Sequence, residues 1–77
     1  MQREKSVEDL NYLFELSDRI AQESDPVLTR QHLKEVDTIF QRSLLACAEG
    51  HVSSGTLVAI QAAVKRCHRA AELNIAV

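Results

Sequence analysis

Two apolar stripes of helical period, facing each other across one glycine turn, constrain this chain more than any other feature it has. Leu33, Val36, Phe40, Leu44 and Cys47 recur at spacings of three and four, which places them along one side of a helix. Leu57, Ile60, Val64, Cys67, Ala71 and Ile75 repeat the pattern, close to a heptad seam. Gly50 lies between the stripes, where a helix C-terminus calls for a left-handed residue, with Val52 just beyond it. Upstream, Asp25 is placed to cap free N–H groups, and Pro26 suits a first helical position that needs no donor. Ser53 or Ser54 is expected to cap the second arm. These signals predict helices over about 26–49 and 54–75, each roughly 30–36 Å long at about 1.5 Å per residue. Matched stripes joined by a short turn fold as antiparallel neighbours. Leu57, Ile60 and Val64 are then expected to face Phe40, Leu44 and Cys47.

A shorter helix precedes the hairpin. Ser6 is expected to cap it, with Asp9 three residues on, so that it runs over about 7–22 and stops before the breaker Ser24-Asp25-Pro26. Val7, Leu10, Leu13, Phe14, Ile20 and Ala21 form its expected stripe, interrupted by Ser17; Tyr12 and Leu16 fall beside it. The join to the hairpin is short enough for this helix either to fold back or to project as an arm. The reading is all-α, with residues 1–77 as one domain.

A chain of 77 residues buries only about 60% of its unfolded surface, so its core is small. The sequence is 45% apolar, but alanine carries much of that fraction and the aromatics are only Tyr12, Phe14 and Phe40. Burial per residue is therefore modest, and a covering partner adds to it. No apolar run reaches the ~20 residues needed to span a bilayer, and no apolar signal core follows Met1-Gln2-Arg3, which points to a cytoplasmic protein without membrane insertion. Residues 1–25 hold seven acids against three bases, and residues 53–77 one acid against three bases. The acidic first segment either lies against the basic last helix or faces a different partner.

Nothing in the chain carries catalytic, metal or cofactor chemistry. None of His32, His51 and His68 is paired with another ligand at i+3 or i+4 in a recognisable site, and the adjacent Cys67 and His68 point in different directions. Cys47 and Cys67 sit on the expected buried stripes. About a turn centred on Val52, Cys47 falls roughly ten residues, or about 15 Å, from the level of Cys67, too far for a bridge. Both are read as reduced, buried thiols. Lys65, Arg66 and Arg69, with His68, form a basic cluster, but the acidic first helix and the absence of a neighbouring aromatic in the sequence argue against nucleic acid.

The informative excess is apolar. Leu28, Ile39 and Ala46 lie about 120° from the main stripe of the second helix at 100° per residue. On the third helix, Ala59, Ala63 and Ala70 form a smooth ridge, and Val58, Ala62 and Leu73 a further band. A helix apolar on several sides has several neighbours, and a first helix of about four turns covers only one groove. Leu28, Ile39, Ala46, Val58, Ala62 and Leu73 are therefore expected to face a protein partner.

The pieces Gln31-His32-Leu33 through Leu44-Leu45, then Glu49-Gly50, then Gln61-Ala62-Ala63 through Ala70-Ala71 and Ile75, resemble the small helical co-chaperones of type III secretion needle subunits. The likeness covers roughly residues 28–76. The longer first helix and the basic end of the third depart from that type. The resemblance implies a cytosolic, non-catalytic protein that pairs with a larger tetratricopeptide-like chaperone to keep the needle subunit soluble. The alternatives are a self-associating helical bundle and a small phage-derived or antitoxin-type inhibitor that blocks a partner's surface.

Overall fold

The computed structural model describes the backbone of residues 2–76 and the side chains of residues 8–74. It is all-α: α1 (Gln2–Gln22), α2 (Pro26–Ala48) and α3 (Ser54–Ala76) form an up-down-up bundle of 40 × 17 × 17 Å. The helix boundaries follow from local chemistry. The Asp25 carboxylate accepts from the Val27 N–H at 2.9 Å, its own carbonyl accepts from Thr29 N–H at 3.0 Å, and Pro26 opens α2. Gly50 takes φ +82°. This left-handed residue lets its N–H reach Cys47 O at 3.0 Å while the His51 N–H reaches Ala46 O at 2.8 Å, the paired bonds that close a helix C-terminus. Of the two candidate serines, Ser53 caps α3: its hydroxyl accepts from the Thr56 N–H at 3.1 Å.

The first helix differs from expectation at its start. It begins at Gln2, so Ser6 lies inside the helix instead of capping it, and α1 is nearly as long as the other two. The side chains of Val7 and Ile75, both assigned to apolar stripes, lie outside the described residues. α1 folds back rather than projecting, and it lies along α3 more extensively than α2 does. The two helices run parallel and in register. Leu13 meets Cys67 and Ile20 meets Asn74, each pair 54 residues apart. α2 runs antiparallel to both, with Tyr12 donating to Glu35 on one side and His68 reaching Asp37 on the other.

The core follows from this arrangement. Leu13, Leu16 and Ile20 of α1 close on Ile60, Ala63, Val64, Cys67 and Ala71 of α3, with Val36 and Ile39 entering from α2. Thr29, Val36 and Ser43, spaced by sevens, form the buried centre line of α2. The hydroxyls of Thr29 and Ser43 donate to Asp25 O at 3.1 Å and Ile39 O at 2.9 Å, so these polar groups enter the interior already satisfied. The expected α2 face is thereby turned. Leu44, placed in the hairpin core by its spacing, is 39% exposed, and Leu33 and Phe40 pack at the core's edge. α2 sits in the groove between α1 and α3, and its buried face must reach both helices, which draws Ile39 inward.

A candidate docking flank on α1 and α3

Because α1 and α3 are parallel neighbours, the pair has two grooves. α2 fills one. The other carries no element among the described residues, and it is lined by Ser17, Asp18 and Ala21 of α1 and by Arg66, Arg69, Ala70, Leu73 and Asn74 of α3. It is an open groove of about 460 Å³. Phe14 extends it along α1, 41% exposed, with the Arg66 guanidinium 5.7 Å from the ring centroid. This cation–aromatic contact joins the two helices across the groove, and such a contact at an exposed site stabilises by about 0.5–1 kcal/mol. Beyond Leu73, the exposed Ala62 and Val58 continue an apolar edge toward the start of α3. Ala62 and Leu73 are eleven residues apart, so they lie within roughly 20° of one another on the helix.

The residues expected to face a partner are divided by the fold. Val58 at 62% exposure, Leu73 at 61% and Ala62 are open on α3; Leu28 is exposed on α2; Ala46 is half-buried. Ile39 is a correction. At 4% exposure it belongs to the internal core, because α2 reaches α1 through that side. Conversely, Phe14 and Ala21, on the expected core stripe of α1, are exposed, while Leu16 and Ser17 are buried. Phe14 and Leu16 are two residues apart, roughly 200° around a helix, so one face cannot hold both. The choice of Leu13, Leu16 and Ile20 as the core set follows the same three-and-four spacing, and that signal was available for finding Phe14 on the flank.

The charges lining this groove are segregated: Asp18 comes from α1, and Arg66 and Arg69 come from α3. Glu15 and Arg19 on α1, and Lys65 and Glu72 on α3, are exposed outside that lining. Among the described residues no ion pair joins α1 to α3. The charge contacts go to α2 instead: Arg42 to Asp9 at 3.1 Å, and His68 Nε2 to Asp37 at 3.0 Å. The Glu35 carboxylate, accepting from the Tyr12 hydroxyl, raises that phenol above its ordinary value, with burial adding to the effect.

The remaining reactive groups are held by the fold. Cys67 is buried, its thiol donates to Leu13 O at 3.3 Å, and burial pushes it up to about 11. A thiol kept protonated in an apolar setting is a poor nucleophile and a poor metal ligand. Cys47 is half-buried, and both cysteines are free, as the helical spacing required. Among the described residues no three His, Cys, Asp or Glu side chains converge. No helix there is long and apolar enough to cross a membrane. No family model, curated protein or solved structure matches the chain.

Proposed function

We propose that this chain is a non-catalytic protein-binding module that receives a helical partner on the α1/α3 flank. The observation that carries the reading is the open groove of the α1/α3 pair, whose exposed Phe14, Ala21 and Leu73 lie opposite the groove that α2 occupies. A partner helix laid there repeats the packing that α2 makes on the far side, and it buries apolar area that the small core leaves in solvent. Isolated exposed residues such as Val27 and Leu45 need no such explanation, since scattered surface leucines and valines are ordinary.

The finer form of the proposal rests on the sequence resemblance. The chain acts in the cytosol beside a larger helical-repeat chaperone and helps to keep a secretion needle subunit soluble until export. An amphipathic needle chain polymerises through its apolar face, and a short bundle with one open groove can help to cover such a face.

The experiment is co-expression with the chaperone and needle subunit of the native host, followed by co-purification. Leu73→Glu is expected to abolish capture, because a charge there is left unpaired in a desolvated contact. Leu45→Glu, on exposed α2 surface, is expected to retain it. Capture that survives Leu73→Glu but not Leu45→Glu moves the docking surface to α2. Absence of any capture by the wild-type chain removes the co-chaperone reading.

A further inference from the structure

We propose that, with no other partner bound, the α1/α3 flank is closed by a second copy of the chain in a two-fold antiparallel dimer. This inference rests on reading the flank as a docking surface, and it names an occupant from the chain's own chemistry. Residue i of α1 is level with residue i + 54 of α3, as Leu13 with Cys67 and Ile20 with Asn74 show. The acids Glu15 and Asp18 therefore occupy nearly the same height on α1 as Arg66 and Arg69 do on α3. A two-fold axis perpendicular to the bundle lays α1 of each copy over α3 of the other.

With that axis at the level of Glu15, Asp18 meets Arg66 of the second copy and Glu15 meets its Arg69. The symmetry repeats both pairs. A groove lined by Asp18 from one helix and by Arg66 and Arg69 from its parallel neighbour, with Glu15 at the rim, is thus complementary to itself when inverted. Within one copy no ion pair joins α1 to α3 among the described residues, and Arg66 lies over the Phe14 ring. Phe14 lies between these charges, and Leu73 and Ala21 extend the apolar contact beyond Asp18. The area is sufficient: one long side of a 40 × 17 × 17 Å body offers roughly 700 Å², or about 1,400 Å² over both copies, within the range of specific interfaces. The product is a six-helix bundle, and a heterologous helix entering the flank must displace the second copy.

The test is light scattering on the size-exclusion peak of the purified full chain at micromolar to hundred-micromolar concentration. Three variants accompany it, each checked for helicity by circular dichroism: Leu73→Glu, an acid-reversed form (Glu15→Lys with Asp18→Lys) and a base-reversed form (Arg66→Glu with Arg69→Glu). The wild type is expected at twice the 8.6 kDa chain mass. Each reversed form alone is expected to be monomeric, because like charges then meet at all four of these contacts across the interface. An equimolar mixture of the two is expected to recover the dimer, since every pair is again of opposite sign. A monomeric wild type overturns the second-copy proposal and leaves the docking reading standing if Leu73→Glu still loses the heterologous partner. A dimer indifferent to Leu73→Glu and to both reversals overturns the use of this flank. A mixture that stays monomeric overturns the antiparallel arrangement.

Discussion

Asn74 of α3 donates its side-chain amide to the carbonyl oxygen of Ile20 at 2.9 Å, and it also reaches Glu23 O. The C-terminus of α1 is thus completed by a side chain from a different helix. α1 ends in Gln22 with no glycine behind it, and the Glu23 N–H makes only a 3.3 Å bond to Ile20 O. The last carbonyls of a helix need a partner, and here α3 supplies it. The same bond fixes the parallel register on which the flank depends.

Asn74→Ala is expected to destabilise the chain by about 1–2 kcal/mol, as a partly buried carbonyl loses its donor. In a domain of this size that lowers the melting temperature by roughly 4–15 °C. Thermal unfolding followed at 222 nm measures it, and amide hydrogen exchange should quicken first in the last turn of α1. An unchanged melt would mean that the α1–α3 register is held without this contact.

Core and surface on α1 should separate cleanly. Leu16→Ala is expected to cost about 2–5 kcal/mol because Leu16 is fully buried. Phe14→Ala should cost no more than about 1 kcal/mol, chiefly the contact with Arg66. On α2 and α3 the parallel pair is Ile39→Glu, which should unfold the chain, and Leu73→Glu, which should leave the monomer helical. Urea denaturation of the four variants reads these outcomes. Equal costs for Leu16→Ala and Phe14→Ala would mean that α1 is rotated from the position described.

The two thiols should differ. Half-buried Cys47 is expected to react with a thiol reagent in the native state, and Cys67 only after unfolding. Burial raises Cys67 from 9.0 to about 11, so the folded chain holds this proton more tightly than the unfolded chain does. The stability this confers is whole below about pH 9 and is lost as pH rises from there through about 11. Replacing Cys67 by Ala should make the decline in unfolding free energy over that interval shallower. An identical pH dependence in the two proteins would contradict the buried thiol.

Much of the fold was legible because it was written in local signals. Asp25-Pro26 and Gly50 mark helix ends through backbone chemistry that needs no tertiary context, and the α3 stripe is continuous. The faces of α1 and α2 were harder for a physical reason. Thr29, Ser43 and Ser17 are buried polar residues, and the hydroxyls of Thr29 and Ser43, bonded to the carbonyl four residues back, carry their polarity inward at little cost. A reading that follows only large apolar side chains then turns α2 toward Leu44 and leaves Ile39 outside. The flank was half visible: Val58, Ala62 and Leu73 stood out by their excess over one stripe. Phe14 did not, because a phenylalanine beside Leu13 is most simply counted as core.

The central claim is that the α1/α3 flank is the docking surface, and site-specific photocrosslinking in the native host tests it most directly. A benzophenone side chain is placed at position 73 in one variant and at position 45, on the exposed face of α2, in another. The account predicts a crosslinked product of higher mass from position 73 and none from position 45. An increment equal to one further chain of 8.6 kDa identifies the second copy, and a larger increment a heterologous partner. Crosslinking from position 45 with none from position 73 would contradict the account.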